Sequence, residues 1–126
     1  PDELLQLCLS DPRIHVLGQC SQTQIREIYS FCGLALSSFG LFRKDMFQAC
    51  TLKTREYLAN GIPVYSGHLD VFPNNFPFYY TGKPDINEIL SYSLSVSAYT
   101  PQQVLDCSFP YISTQHVLPG FLNSLL

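Results

Sequence analysis

The chain has 126 residues, of which 46% are hydrophobic and 13% charged, and its formal net charge is -3. This much apolar material suits one compact domain with a hydrophobic core. The negative charge and the lack of a basic run with interleaved aromatic residues argue against nucleic-acid binding, and no apolar stretch approaches the roughly 18 residues of a membrane-spanning helix.

The first third of the chain alternates helical patterns with short apolar runs. Asp2 to Leu9 is interpreted as a helix end, and Ile14 to Leu17 is predicted to form a buried strand. Ser21 to Gln24 have the spacing of a capping box, which predicts the start of a second helix. Leu34 to Ser37 is the next predicted strand. The connection that follows, Phe39 to Cys50, is long enough to suggest a functional or mobile loop.

Residues Thr51 to Tyr65 predict a helix, a glycine stop and a buried strand. Thr51 is a plausible N-cap, and Gly61 can adopt the left-handed conformation that ends a helix. Ile62 to Tyr65 is predicted to be the strand. The helix begins after a long polar loop and carries Glu56 in its middle, which suits a nucleotide site with amides for phosphate and a carboxylate for ribose.

The second half of the chain predicts another loop, a strand and three helical segments. Gly67 to Pro77 is the loop and Phe78 to Tyr80 the strand. The aromatic residues from Phe76 to Tyr80 could be core or an interdomain surface, and a partly exposed patch is favoured. A helix is predicted from Asp85 to about Tyr92. A second, capped by Thr100 before Pro101, is predicted to end near Asp106. The tail after Ser113 has an apolar helical face that Pro119 interrupts.

This order predicts an α/β fold, a Rossmann-like parallel sheet with flanking helices. Ligands of such sheets bind beyond the carboxyl ends of the strands. The predicted loops at that edge contain Gly18, Phe39 to Thr51, and Ser66 to Val71.

The five cysteines predict no disulfide framework and no zinc ribbon, because their number is odd and none is in a Cys-x-x-Cys pair. Cys8 and Cys32 lie in apolar runs and are expected to be buried. The first residues show no signal peptide. We therefore expect a reducing, cytoplasmic compartment.

The segment Leu52 to Val64, LKTREYLANGIPV, closely resembles the signature helix and strand of retaining glycosyltransferases with the GT-B fold. It is most similar to the bacterial polysaccharide-type branch of family 4. Ser37 to Lys44 is similar to the strand end and glycine-containing loop of that branch. Ile14 to Gly18, with the helix after it, resembles the strand and helix one unit earlier.

The resemblance implies that residues 1–126 form the C-terminal, donor-binding domain of a longer, two-domain hexosyltransferase-type enzyme. Such an enzyme transfers a sugar from a nucleotide-sugar to an acceptor in glycan or polysaccharide synthesis, without a metal or other cofactor. The implied partner is an N-terminal acceptor-binding domain, and the isolated chain is not expected to turn over. For the full-length protein, peripheral membrane association is a further hypothesis.

The resemblance also implies the site. Glu56 would hydrogen-bond the ribose hydroxyls, and the amides of Leu52 and Lys53 would hold the diphosphate. Gln48, eight positions before Glu56, stands where the family often has a further glutamate that contacts the donor sugar. An amide can hydrogen-bond a sugar but cannot act as a carboxylate, so the catalytic residue is left unknown. The remaining candidates for nucleotide-sugar binding are Thr54, Gly40, Arg43, Lys44, Gly18 and Gln19.

Each candidate also has an ordinary explanation. Glu56 could be an exposed acid paired with Lys53 or Asn60, and Gln48 could be plain loop polarity. Likewise, Arg43 and Lys44 could be solvated loop charges, Thr54 a helix-surface hydroxyl and Gly18 a turn residue.

His68 and Asp70 form a His-x-Asp pair after a predicted strand, which could indicate a metal or acid–base work. No third ligand has a suitable spacing, so no metal is expected. The chain has no Gly-x-Ser-x-Gly elbow, Gly-x-Gly-x-x-Gly fingerprint or Walker pattern.

Two other functions stay open. The chain could be a non-catalytic GT-B-like binding module with a degenerate site, which Gln48 favours. It could also be a flavodoxin-like or receiver-like signalling domain, although no acidic pair follows the first predicted strand.

Overall fold

The computed structural model describes residues 2–37, 39 and 52–113. In these ranges the elements, in chain order, are α1 (Asp2–Ser10), α2 (Gln22–Phe31), β1 (Ala35–Leu36), α3 (Leu52–Ala59), β2 (Val64–Ser66), β3 (Tyr79–Thr81), α4 (Ile86–Val96) and α5 (Pro101–Ile112). The three strands form a parallel sheet in the order β1-β2-β3. The described part of the chain therefore has an α/β fold, as predicted.

Strand β2 is the centre of the sheet and of the core. Val64, Tyr65 and Ser66 are each 0% exposed, as expected for a parallel strand that is paired on both sides and covered on both faces. Neighbouring residues of β3 show the two faces: Tyr79 packs against Phe72, which contacts α5, whereas Tyr80 packs against Tyr92 of α4. Helices thus flank both faces of the sheet.

The helix starts follow local sequence signals. Ser21 accepts from the Gln24 amide at 3.2 Å, and the Gln24 side chain accepts from the Ser21 amide at 2.8 Å, which completes the predicted capping box. Thr100 and Gln103 form the same arrangement before α5, with Pro101 at the first helical position. Gly61 ends the turn after α3 with a φ of 76°. These features are confirmed because each depends on residues close in sequence.

Several predictions from hydrophobic patterns are wrong. Ile14 to Leu17 forms no strand; Ile14, Val16 and Leu17 are 46%, 51% and 57% exposed, and no strand of the described residues pairs with the segment. A strand requires a neighbour for its backbone hydrogen bonds, which a short apolar run cannot specify. Cys32 is exposed rather than buried because it lies at the C-cap of α2, and Cys8 is half-buried.

The aromatic segment before and within β3 also differs from the prediction. Phe76, Phe78 and Tyr79 are 6%, 2% and 8% exposed, so they belong to the core rather than to an exposed patch; Tyr80 alone of the four is exposed, at 38%. The two last helices are longer than predicted, because α4 continues to Val96 and α5 to Ile112. Pro110 lies inside the last turns of α5.

Two further points complete the fold. The prediction for the tail falls on residues 114–126, which lie outside the described residues. Within the described ranges, no helix has the length and apolar content needed to cross a membrane.

Candidate functional site at the carboxyl edge of the sheet

The three strands end side by side in hydroxyl residues. Ser37 directly follows β1, Ser66 ends β2 and Thr81 ends β3. His68 and Asp70 lie in the loop after β2. Together with two side chains that reach them from α3 and β3, they form what we call the carboxyl-edge cluster: Ser37, Arg55, Ser66, His68, Asp70, Tyr79 and Thr81.

His68 is the centre of this cluster and is 1% exposed. Its carbonyl oxygen accepts from the Tyr79 hydroxyl at 2.6 Å and from the Thr81 hydroxyl at 3.2 Å. Its amide donates to Ser66 Oγ at 3.2 Å. Three hydroxyl side chains, those of Ser66 and Thr81 at strand ends and that of Tyr79 at the start of β3, thus bind the backbone of His68. These bonds fix the path of the chain as it leaves β2.

The hydrogen bonds of the imidazole indicate its tautomer. Nδ1 lies 3.1 Å from the carbonyl oxygen of Leu69 and 3.2 Å from the Tyr79 hydroxyl oxygen. A carbonyl only accepts, so Nδ1 is assigned the proton. Nε2 then presents its lone pair to the Ser37 hydroxyl, 3.5 Å away. The Ser37 hydroxyl can therefore donate a hydrogen bond to His68 Nε2, although this separation is at the outer limit of a hydrogen bond.

Tyr79 is held in its neutral form. Burial raises the pKa of its phenol to about 12, because the ionised phenolate would lose its hydration inside the protein. The hydroxyl keeps its proton at neutral pH and can donate to the His68 carbonyl. The residue acts here as a hydrogen-bond donor to the loop.

Asp70 does not join His68 but forms a buried ion pair with α3. Its two carboxylate oxygens accept from Arg55 Nη1 at 2.8 Å and Nη2 at 2.5 Å. The side chain of Asp70 is 0% exposed and that of Arg55 10%. The guanidinium also lies 5.2 Å from the centre of the Phe72 ring. Because Arg55 belongs to the first turns of α3, this pair places the start of α3 beside the loop at the carboxyl edge.

The start of α3 carries the residues that the resemblance predicted to bind the nucleotide. Leu52 and Lys53 are exposed in its first turn, where helix amides have no partner within the helix. Glu56 is half-exposed, with 36% of its side chain accessible, and its carboxylate lies 3.6 Å from Lys53 Nζ. Burial and then the nearby Glu56 carboxylate raise the pKa of Tyr29 on α2. Glu56 thus pairs with Lys53, as expected if it is an ordinary exposed acid. Its role in ribose binding stays a prediction.

The other predicted site residues are placed differently. Thr54 is 0% exposed, so its side chain faces the interior rather than a ligand. Gly18 has a φ of 65°, which fits a turn, and it lies with exposed Gln19 in the segment between α1 and α2. The remaining four predictions fall outside the described residues: Gly40, Arg43, Lys44 and Gln48.

The sequence interpretation missed most of the cluster. His68 and Asp70 were noted as a pair, but the partners of each were not foreseen. One signal was present: Ser37, Ser66 and Thr81 stand at or next to the ends of predicted strands, and the carboxyl ends of adjacent parallel strands meet at one edge. Across residues 2–37, 39 and 52–113, no group of three or more His, Cys, Asp and Glu side chains is arranged to hold a metal ion.

Comparison with known proteins adds no relative. No protein-family model matches the chain, and no curated protein or solved structure matches it. A function must therefore be argued from the residues and their geometry.

Proposed function

We propose that the chain is the donor-binding, C-terminal half of a GT-B glycosyltransferase, a Rossmann-like domain that binds a nucleotide-sugar. The observation that carries the proposal is the position of α3. Its first turn lies against the loop that follows β2, at the carboxyl edge of a parallel sheet, and the Arg55–Asp70 pair anchors it there. This is the edge at which open α/β sheets bind ligands.

The chemistry of this turn suits a nucleoside diphosphate. The amides of Leu52 and Lys53 offer hydrogen bonds at the positive end of the helix dipole. Glu56, one turn later and accessible to solvent, offers a carboxylate to the ribose hydroxyls. In transfer, the same amides would stabilise the charge that develops on the departing diphosphate. Lys53 lies beside Glu56 and adds positive charge to this surface.

The first experiment is a titration of the 126-residue chain with UDP and GDP, followed by amide chemical shifts. We expect shifts of the Leu52 and Lys53 amides at millimolar nucleotide. Glu56→Ala should weaken binding about tenfold or more, because a hydrogen bond to a charged group contributes about 1.5–3 kcal/mol. Glu27→Ala, which changes an exposed helix acid on α2, is the control and should leave binding unchanged. Absence of shifts in α3, or equal binding by both variants, would refute the assignment.

A second candidate is a binding module of the same fold without catalysis. Gln48 favours it, because an amide stands where the family often has a carboxylate. Nucleotide binding that responds to Glu56→Ala, combined with no transfer by the full-length protein even after Gln48→Glu, would support this candidate. Sugar transfer by the full-length protein would exclude it.

A further inference from the structure

A groove of about 580 Å³ follows the outer edge of β3. Residues on both sides of the strand line it: the loop from Leu69 to Pro77 lies on one side, and the second half of α4, with Tyr99 beyond its end, lies on the other. Tyr79, Tyr80 and Thr81 of β3 line it between them. The helix α3 contributes nothing to this lining, so the groove is separate from the nucleotide site proposed above.

The backbone of β3 presents free hydrogen-bonding groups to the groove. Val64 N–H donates to the Phe78 carbonyl at 2.8 Å, and Gly82 N–H donates to the Ser66 carbonyl at 2.9 Å. In a parallel ladder, backbone groups of successive residues point alternately to the two sides of the strand. The N–H and C=O of Tyr79 and of Thr81 therefore point away from β2. In the described part of the chain, β3 has no strand on that side.

The side chains around these groups are uncharged and largely aromatic. Of the described residues that line the groove, Asp70 carries the only charge, and Arg55 neutralises it. Tyr80 and Tyr99 are 38% and 47% exposed, so parts of their rings can contact a ligand. Asn74 adds an exposed amide at the rim. This lining matches an uncharged ligand with apolar side chains and disfavours a phosphate or a charged peptide.

We propose that this groove binds an extended, uncharged peptide segment of a partner protein, which adds as a strand to the edge of β3. The outward N–H and C=O groups of Tyr79 are followed by those of Thr81 two residues later, at a spacing of about 6.4–6.8 Å, which is the two-residue repeat of an extended backbone. A strand added in this way draws affinity from main-chain hydrogen bonds and specificity from pockets for alternate side chains. A second copy of the chain fits less well. In each copy the 69–77 loop and α4 lie on either side of β3, so they would clash with the same elements of the other copy if two β3 strands paired.

The test uses blocked pentapeptides, Ac-Thr-Xaa-Thr-Xaa-Thr-NH2, in pools with Val, Leu, Phe or Tyr at the varied positions. We expect at least one pool to shift the Tyr79 and Thr81 amides of the 126-residue chain and to slow their hydrogen exchange. Thr81→Pro removes an outward N–H and none of the backbone groups that bond β2, which belong to Phe78, Tyr80 and Gly82. Thr81→Val is the matched control, since both variants lose the Thr81 hydroxyl bond to His68. Binding should fall about two- to tenfold for Thr81→Pro relative to Thr81→Val.

Two peptide variants make the test independent of how Thr81→Pro folds. In the best-binding peptide, either the Xaa amides or the Thr amides are N-methylated. The two changes block opposite sides of the peptide backbone, and only one side can pair with β3. One methylation should therefore abolish binding, while the other is tolerated. Equal effects of the two methylations, or no shift by any pool, would overturn the proposal. Self-association of the chain that Thr81→Pro breaks and Thr81→Val keeps would overturn it in favour of pairing between copies.

Discussion

Removing the charge of Asp70 should destabilise the protein strongly. In Asp70→Asn the Arg55 side chain, which is 10% exposed in the parent, loses the carboxylate that accepts two of its hydrogen bonds. Breaking a buried ion pair by removing one partner costs about 3–5 kcal/mol, because the buried guanidinium loses the carboxylate that balances its charge. This is a large share of the about 5–15 kcal/mol that stabilises a typical domain.

Urea unfolding measures this loss. With a slope of about 2 kcal/mol per molar urea, the midpoint of Asp70→Asn should fall by about 2 M relative to the parent chain. The control is Arg13→Ala, which removes an exposed ion pair: the Arg13–Asp11 distance is 2.8 Å, but the Arg13 side chain is 87% exposed. Its midpoint should be close to that of the parent, because solvent screens such pairs.

Replacing both partners by apolar residues tests the cause. Arg55→Met combined with Asp70→Leu should recover most of the lost stability, because both members of the buried ion pair are then replaced by apolar side chains. If Asp70→Asn and Arg13→Ala lowered the midpoint equally little, the Arg55–Asp70 pair would have to be accessible to water, and its role in anchoring α3 would be wrong.

Two further predictions concern alkaline pH and Gly61. Burial raises the pKa of Tyr79 to about 12, so its stabilising effect is complete below the unfolded value of about 10 and is lost between pH 10 and 12. Burial also raises the pKa values of Tyr65 and Tyr92. The Tyr79 contribution is therefore the difference between the parent and Tyr79→Phe: over that interval the urea midpoint of Tyr79→Phe should fall less, by an amount worth up to about 3 kcal/mol, and equal falls would contradict the assignment. Gly61→Ala should lower the melting temperature and cost at least about 1–2 kcal/mol, because φ is 76° and a Cβ would lie 2.5 Å from the Pro101 carbonyl oxygen. Gly33→Ala, where a Cβ meets nothing within 4 Å, is the control; equal melting temperatures would exclude this strain.

The features that could be predicted from the sequence are those that neighbouring residues determine. The hydroxyl and the amide of a capping box lie three positions apart, so Ser21 and Thr100 identify helix starts without knowledge of the fold. The α/β class follows from the order of short strands and helices in the same way. The ends of α4 and α5 were predicted too early because packing against the core, seen at Val96 and Ile112, extends a helix beyond its local signals.

What could not be predicted depends on partners distant in sequence. Ile14 to Leu17 has the composition of a strand, but no strand of the described residues pairs with it. Phe76 and Phe78 resemble a surface patch in the sequence, but Tyr111 and Tyr99 pack against them in the fold. The partners of the polar residues His68 and Asp70 are likewise distant in sequence.

The His-x-Asp pair shows why this matters for function. Two residues that lie close in sequence were considered as one site, but Asp70 turns to Arg55 and His68 to Tyr79 and Ser37, so they do not converge on a common ligand. The hydroxyls of Ser66 and Thr81 are likewise used to hold the loop. Residues at the carboxyl ends of strands therefore need not bind the ligand themselves. Here they fix the loop that contains Asp70. The ion pair between Asp70 and Arg55 then positions the first turn of α3. The proposed nucleotide site would instead use the amides of the first turn of α3 and Glu56, whose side chain is 36% exposed.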